Sequence, residues 1–260
     1  MKDRKLFYLL YLFIAATIMF VNVGCSDDED PIIPPATIVE SEELVKYLEA
    51  NGDFINGSNC PAMITADALN ADILASANIA ILDVRSATDY AAGHITGAVN
   101  VTIANVLNYY KTNNLQNKTK VVITCYTGQS AAFATAVLRL AGYTNVFDLK
   151  WGMCSWNETV SGQRWHNVMI NGQSNPITLQ TTANAKNAAG ELPTLDTKKT
   201  TGADILANRL DTLLTRGYGE ASIDRTTLFT NLSNYYIVNY WPIDQYTAGH
   251  IEGAIQYEPK

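Results

Sequence analysis

The chain has 260 residues, a formal net charge of −7 and 17 % charged residues. This acidic balance, with no cluster of basic residues, excludes nucleic acid and an anionic membrane surface as electrostatic partners. The three histidines are far apart in the sequence, so no metal site is predicted.

Residues 1–25 are predicted to be a lipoprotein signal peptide. Three basic residues open it: Lys2, Arg4 and Lys5. The apolar run that follows, residues 6–21, is short for a bilayer span and stops at a processing-like site. Residues 22–25 resemble a bacterial lipobox in which Cys25 becomes lipidated, although Asn22 replaces the usual leucine. The alternative is an uncleaved N-terminal anchor. Either interpretation predicts a protein of the cell envelope, on the periplasmic or surface side of the outer membrane.

Residues 26–40 are acidic and then proline-rich, which predicts a solvated linker. The four cysteines are Cys25, Cys60, Cys125 and Cys154. If Cys25 is lipidated, three remain, an odd number for an exported protein. At least one thiol is therefore expected to be free or to pair only transiently.

A first domain is predicted over residues 41–170. Ser41 is expected to cap its first helix, and a short strand is expected at residues 64–65. Three later runs are apolar on both faces: Ile79–Val84, Val121–Thr124 and Val146–Leu149. Because these runs alternate with helical patterns, they predict an α/β fold with a parallel sheet covered on both sides. Sites in such sheets collect at the carboxyl ends of the strands.

Cys125 lies at that end of the sheet, directly after the second of these runs. Five predicted loop residues separate it from a helix predicted over residues 131–141: Tyr126, Thr127, Gly128, Gln129 and Ser130. Unpaired amides and the dipole at the start of a helix stabilise an anion and lower the pKa of a thiol. Gly128 would let the loop turn tightly. The alternative for Cys125 is a small buried hydrophobic residue at a strand end.

The chain also matches itself. Residues 81–98 and 237–254 align without gaps, and eight of eighteen positions are identical. This predicts a linker at residues 171–202 and a second, incomplete copy of the domain over residues 203–260. A leucine stripe is expected to form the first helix of that copy: Leu206, Leu210, Leu213 and Leu214. Residues 223–232 are expected to form its next strand and helix. Because a shortened sheet would expose a strand edge, the chain is expected to be part of a longer protein.

Three motifs together resemble the rhodanese domain: Ile81–Arg85, Asp89–Ala98 and Cys125–Ser130. The resemblance spans about residues 64–156. It implies a three-layer α/β fold whose five-stranded parallel sheet has the order 3-2-4-5-1. It also implies a sulfurtransferase that carries sulfane sulfur as a persulfide on Cys125, with no cofactor. The partners would be a small sulfur donor and a thiol or cyanide-like acceptor.

The length of the loop separates two branches of this fold. Related cell-cycle phosphatases have a loop one residue longer, which ends in an arginine that binds phosphate. Here that position is Ala131, and the loop contains no lysine or arginine. Sulfur transfer is therefore favoured over phosphate hydrolysis, and a weakly charged persulfide donor is expected to suit the loop better than thiosulfate.

The remaining polar residues of the motifs are interpreted as structural supports. Asp83 and Arg85 end a strand, and Arg85 is expected to pair with Asp89. His94 recurs as His250 and is interpreted as a turn residue rather than a proton shuttle. In the second copy, asparagine and tryptophan replace the Asp83 and Arg85 pair, so that copy is predicted to be non-catalytic.

Two further hypotheses are left open by the sequence. The alternative function is a non-catalytic binding or redox-sensing module at the cell envelope, in which Cys125 has an ordinary pKa. Cys60 and Cys154 are expected not to form a disulfide, because they would lie at opposite ends of the sheet. Cys154 would share the strand-end face with Cys125, as a resolving thiol or as a packing residue beside Trp156.

Overall fold

The apolar runs of the first domain form a parallel sheet. The computed structural model describes residues 38–54, 57, 59, 62–157, 159, 160, 164 and 178–258. The strands are β1 (Met63–Ile64), β2 (Ile79–Asp83), β3 (Ala98–Asn100), β4 (Lys120–Thr124) and β5 (Val146–Leu149). Their order is β1-β5-β4-β2-β3, and all pairings are parallel. This confirms the predicted α/β class and strand order.

Helices connect and flank these strands: α1 (Glu40–Ala50), α2 (Ala66–Leu74), α3 (Ala87–Ala92), α4 (Val106–Thr112), α5 (Gln129–Leu140) and α6 (Met153–Trp156). Apolar side chains of α4 and α5 bury one face of the sheet. Leu69 of α2 and Met153 of α6 are fully buried against the other face. The sheet is thus the middle of three layers, which explains why its strands are apolar on both sides.

The expected cap of the first helix is wrong. Helix α1 begins at Glu40, two residues earlier than a Ser41 cap requires, and its flanking residue Val39 makes no side-chain capping bond. Ser41 instead lies within the first turn and is buried. Its position facing the interior outweighs its preference for a cap.

The second half of the chain begins with α7 (Gly202–Arg216), which carries the leucine stripe. Leu206, Leu210 and Leu214 are buried in the same cluster as side chains of β4 and α5. Helix α7 also packs along α1. The stripe therefore packs on the apolar core of the first domain, and residues 39–260 form one compact unit. The predicted domain boundaries stay a prediction.

The rest of this half contains α8 (Arg225–Thr230), β6 (Val238–Asn239), α9 (Ile243–Ala248) and β7 (Ile255–Gln256). No strand forms at the start of residues 223–232, where one was expected; only α8 forms there. Strands β6 and β7 make a separate two-stranded parallel sheet. The large side chains of residues 235–243 are mostly exposed: Tyr235, Tyr236, Val238, Tyr240, Trp241 and Ile243.

The two self-similar segments have the same local geometry. Strands β2 and β3 are joined through α3, and β6 and β7 are joined through α9. Ring centroids are 3.9 Å apart for Tyr90 and His94 and 3.7 Å apart for Tyr246 and His250, and both pairs are stacked. In both, the histidine Nδ1 contacts the backbone oxygen of that tyrosine. Both histidines therefore hold a turn together.

Several predictions concern residues outside the described ranges. They include the signal peptide with Cys25, most of the acidic linker, and Cys60 with its expected lack of a disulfide. In the part of the chain that the structure describes, no helix is both long enough and apolar enough to cross a membrane.

Candidate active site around Cys125

Cys125 directly follows β4 at the carboxyl end of the sheet. Its Sγ accepts hydrogen bonds from the backbone N–H groups of Gly128, at 3.2 Å, and Ala131, at 3.4 Å. Both donors belong to the turn that opens α5, where amides lack partners within the helix. Together with the helix dipole, such amides form a site suited to an anion. Cys125 is only 2 % exposed.

The turn after Cys125 is shorter than predicted, because α5 begins at Gln129 rather than at Ala131. Of the five predicted loop residues, only Gly128 donates a backbone hydrogen bond to Sγ, and the second donor lies just beyond them. Gln129 and Ser130 lie in the first turn of α5, and the Thr127 hydroxyl donates to the Gln129 side chain at 3.3 Å. The cysteine sulfur is therefore held by the start of a helix rather than by an open loop.

A second turn, directly after β5, supports the cysteine from the side. The Met153 N–H donates to the Cys125 carbonyl at 2.8 Å, and the Cys154 N–H donates to the Tyr126 carbonyl at 3.0 Å. A β-carbon added to Gly152 would lie 2.5 Å from the Cys125 carbonyl oxygen, so only glycine fits this approach. Both the cysteine and the residue after it are thus fixed by backbone contacts from a neighbouring strand end. Cys154 lies beside Cys125 in this way, is half-buried and is not in a disulfide.

Asp83 and Arg85 form a fully buried ion pair behind the turn. The Arg85 Nη2 lies 2.7 Å from Asp83 Oδ2, and its Nε donates to the same carboxylate at 3.0 Å. The guanidinium also donates to the carbonyls of Gly93 and Val160, and so ties three segments together. The expected pairing of Arg85 with Asp89 is wrong. Helix α3 begins only at Ala87, so the two residues are not one helical turn apart.

Asp89 instead supports Tyr126. Its carboxylate accepts hydrogen bonds from the hydroxyls of Ser86 and Tyr126, and these bonds lower its pKa below the ordinary value. The Tyr126 ring then receives the Arg164 guanidinium on its face, with Cζ 3.7 Å from the ring centroid. Stacking of this kind is a favourable cation–π contact. The positively charged Arg164 side chain therefore lies against Tyr126, the residue that follows Cys125.

Sequence reasoning missed Arg164, because it searched for a basic residue only within the loop. Arg164 follows the last strand of the sheet, and its sequence neighbours carry no motif. The aromatic residue at position 126 is the only signal that points to it, since a partly exposed ring can bind a cation on its face. Among the described residues, no group of three or more histidine, cysteine or acidic side chains is placed to hold a metal ion.

Asp148 is a buried carboxyl group near the site. It lies on β5 opposite Ile123, two residues before Cys125 on the neighbouring strand. Its Oδ1 finds no hydrogen-bond partner in the described part of the chain, and burial raises its pKa to about 8. The group is therefore largely protonated at neutral pH and takes part in no described ion pair.

Replacement of Asp148 by asparagine is expected to make stability less sensitive to pH. The folded protein keeps the Asp148 proton up to about pH 8, whereas the unfolded chain loses it near pH 4. This contribution to stability is full below pH 4 and is lost as pH rises through 8. Between pH 5 and pH 8 the wild type should lose on the order of 3 kcal/mol relative to Asp148→Asn. Urea unfolding of both proteins at pH 5 and pH 8 measures the difference. If the unfolding free energies of wild type and Asp148→Asn change equally between the two pH values, the prediction is wrong.

Comparison with known proteins defines the class. The family model for the rhodanese-like domain matches residues 65–159. A thiosulfate sulfurtransferase GlpE of Pseudomonas fluorescens is 33 % identical over 90 residues, which cover 35 % of this chain and 81 % of that protein. The GlpE of Pseudomonas entomophila is 36 % identical over 83 residues, which cover 32 % and 74 %. The crystal structure of a rhodanese-related protein from Thermoplasma volcanium is 27 % identical, with a TM-score of 0.33, and the match covers 38 % of this chain and 93 % of that one.

The chain therefore belongs to the rhodanese-like domain family. Both of the Pseudomonas relatives are named thiosulfate sulfurtransferases.

Proposed function

We propose that this protein is a sulfurtransferase that carries sulfane sulfur as a persulfide on Cys125. The observation that carries the proposal is the pair of backbone amides, from Gly128 and Ala131, that donate to Sγ at the start of α5. Two fixed donors and a helix dipole stabilise a thiolate, which is the nucleophilic form of cysteine.

The reaction divides into two displacements at sulfur. The Cys125 thiolate attacks the outer sulfur of the donor, a new S–S bond forms, and the donor's own S–S bond breaks with its electron pair on the departing group. A thiol or cyanide-like acceptor then attacks the outer sulfur and returns an electron pair to Sγ. The sulfur travels on the protein itself, so the cycle needs no cofactor.

The positive charge of Arg164 favours the binding of an anionic sulfur donor. The predicted loop has no basic side chain, but the guanidinium stacked on Tyr126 supplies a positive charge from outside it. The other arginine at this site, Arg85, is held by the Asp83 carboxylate. Thiosulfate is therefore a suitable donor as well as the persulfide that the loop alone favours.

Sulfur uptake tests the proposal. The chain without its predicted signal peptide, residues 26–260, is incubated with thiosulfate or with an organic persulfide, and its peptides are analysed by mass spectrometry. We expect a single-sulfur adduct on Cys125 that disappears when cyanide is added. A wild-type protein that takes up no sulfur from either donor would refute the proposal.

One observation favours the second candidate function, a binding or redox-sensing module. Cys125 is 2 % exposed, less than a freely accessible nucleophile requires. In that case Cys125 should react slowly with every donor but still form a sulfenic acid or a mixed disulfide under oxidising conditions. The uptake experiment, repeated with peroxide in place of the sulfur donor, distinguishes the two functions.

The same proposal includes export and lipid anchoring through Cys25. The basic start, the apolar run of residues 6–21 and the lipobox-like residues 22–25 support it. Metabolic labelling with a fatty acid in a bacterial host should mark the wild type and not Cys25→Ser. Label that persists in the variant, or that is absent from the wild type, would favour an uncleaved anchor.

We also propose that residues 203–260 derive from a second, non-catalytic rhodanese copy. In both segments a tyrosine of the helix, α3 or α9, stacks on a histidine two residues beyond the end of that helix, and this supports the common origin. Asn239 and Trp241 take the places of Asp83 and Arg85, so this segment has no equivalent of the buried ion pair. Its contribution would be structural, through the packing of α7 on α1 and α5.

A further inference from the structure

Residues 235–243 form an uncharged, exposed surface around strand β6, called the β6 surface below. They include no acidic or basic side chain, although 17 % of the chain is charged. Six of their side chains are between 41 % and 54 % exposed: Tyr235, Tyr236, Val238, Tyr240, Trp241 and Ile243. At about 100 Å² for each half-exposed side chain, the β6 surface measures roughly 600 Å², which is the size of a patch that marks an interaction site.

The equivalent strand of the first domain is covered at the same positions. In the alignment of residues 81–98 with residues 237–254, Val238 corresponds to Leu82 and Tyr240 to Val84. Leu82 is 1 % exposed and Val84 packs against the same apolar cluster, whereas Val238 is 53 % exposed. In the described part of the chain, the β6 surface therefore lacks the cover that its counterpart on β2 has.

The residue types of the β6 surface favour contact with another protein molecule. Tyr236 and Tyr240 take the places that Ala80 and Val84 have in the first domain. Aromatic residues are enriched at the centre of protein–protein interfaces, and charged residues are depleted there. The Tyr236 hydroxyl lies 2.7 Å from the Tyr257 hydroxyl, so the polar end of this side chain already has a hydrogen-bond partner when its ring is covered.

Strand β6 also has an open edge. The Ile237 carbonyl accepts a hydrogen bond from the Ile255 N–H at 2.8 Å, and the Asn239 carbonyl is bonded to β7 in the same way. Successive residues of a strand direct their backbone groups to opposite edges, so those of Val238 point away from β7. Among the described residues, no strand pairs with β6 on that side. An open edge of this kind can add a strand from another chain.

We propose that the β6 surface is the interface of a symmetric dimer, in which the β6 strands of two copies of this chain pair antiparallel about a two-fold axis at Val238. In this register the two Val238 residues lie opposite each other, and Tyr236 of one protomer lies opposite Tyr240 of the partner subunit. Cross-strand pairs of aromatic and β-branched side chains are favourable. The inference is independent of the proposed sulfur transfer.

Charge and area favour a second copy as the occupant. A two-fold interface places a patch against itself, so a charge at its centre would meet a like charge. Because the chain carries a net charge of −7, two copies meet most favourably at a surface whose own residues are uncharged. Covering the six exposed side chains on both copies would remove roughly 1,200 Å² from water, more than the roughly 1,000 Å² that a specific interface needs.

The oligomeric state of residues 26–260 tests the proposal. Sedimentation equilibrium over a range of protein concentrations should give twice the mass of one chain. Val238→Lys places two ammonium groups opposite each other across the axis, and it should weaken dimerisation about 100-fold or more. Val99→Lys is the matched control, because Val99 is a 41 % exposed valine on β3, an edge strand of the other sheet. It should leave the dimer intact.

A cross-link tests the register without disrupting the interface. Residues directly opposite in a hydrogen-bonded antiparallel pair have Cα atoms about 5.5 Å apart, a distance that a disulfide can bridge. Under mild oxidation, Val238→Cys should therefore give a dimer that is linked through the two introduced thiols, and Val99→Cys should give no such link. Peptide mapping under non-reducing conditions distinguishes this bond from any formed by the native cysteines.

Each outcome decides the proposal. A wild type that stays monomeric at every concentration would overturn it and leave the β6 surface to a different protein. A dimer that survives Val238→Lys would refute it too, provided that thermal unfolding shows the variant to be folded. Loss of the dimer in Val238→Lys without a cross-link in Val238→Cys would overturn the antiparallel register. None of these results depends on sulfur uptake by Cys125.

Discussion

Replacement of Cys125 by serine is expected to abolish sulfur transfer completely. A hydroxyl at this position remains protonated at neutral pH, and it forms no persulfide even with the Gly128 and Ala131 amides in place. Cyanide-dependent turnover of thiosulfate by residues 26–260 should fall to the background rate. The sulfur adduct seen in the wild type should also be missing from the mass spectrum.

Cys154→Ser is the matched control for this change. Cys154 is joined to the same turn through its N–H, which donates to the Tyr126 carbonyl, and this backbone contact survives the substitution. Sulfur uptake should therefore persist. If Cys154 acts as a resolving thiol, the persulfide on Cys125 should last longer in this variant, whereas a packing residue should leave its lifetime unchanged. Uptake that is lost in Cys154→Ser but retained in Cys125→Ser would contradict the assignment of the nucleophile.

Removal of the buried guanidinium should have the largest effect on stability. Arg85→Met leaves the Asp83 carboxylate buried without its ion-pair partner, and the Gly93 and Val160 carbonyls lose a donor. Breaking a buried pair in this way costs about 3–5 kcal/mol of unfolding free energy. Urea unfolding of residues 26–260 measures the loss.

Lys120→Met is the control for the effect of ion pairing alone. The Lys120 ammonium lies 2.6 Å from the Asp72 carboxylate, but both side chains are partly exposed. Such a pair contributes no more than about 1 kcal/mol. Similar losses for both variants would show that the burial of the Arg85 pair has no special importance.

The sheet could be predicted from sequence because the burial of its strands determines which residue types they contain. The strands Ile79–Asp83 and Lys120–Thr124 are covered on both faces, and seven of their ten side chains are apolar. Such a continuous apolar run is typical of a strand in a covered parallel sheet. The position of Cys125 follows from the same pattern, because a strand, a turn with glycine and a helix can meet only at the carboxyl edge. Local sequence determines these features.

The partners of individual side chains could not be predicted in the same way. Arg85 lies two positions after Asp83 and four positions before Asp89, and either spacing allows an ion pair. The choice depends on where α3 begins, which Ser86 decides by accepting the Asp89 N–H as a cap. Arg164 reaches the site from a segment remote in sequence, and no spacing rule connects it with Cys125.

The leucine stripe of α7 shows a related limit. Its period indicates an amphipathic helix but does not indicate which sheet the helix covers. In the structure it buries Leu206 and Leu210 in the apolar cluster of the first domain, so a protein that ended at residue 170 would leave an apolar surface without its cover. Residues 26–260, which include α7, are therefore the segment whose activity should be measured.

The unequal neighbours of the two self-similar segments bear on how the protein opens locally. Strand β2 has hydrogen-bonded strands on both sides, β3 and β4, so its amides can exchange with solvent only when the whole sheet separates. Strand β6 pairs with β7 alone in the described part of the chain, and side chains around it are exposed. Breaking one short ladder is enough to free it, and regions of this kind open at a fraction of the global unfolding free energy. Two segments that share eight of eighteen residues thus form a rigid centre at one place and a separately opening unit at the other, because the cooperativity of a strand depends on its surroundings as well as on its sequence.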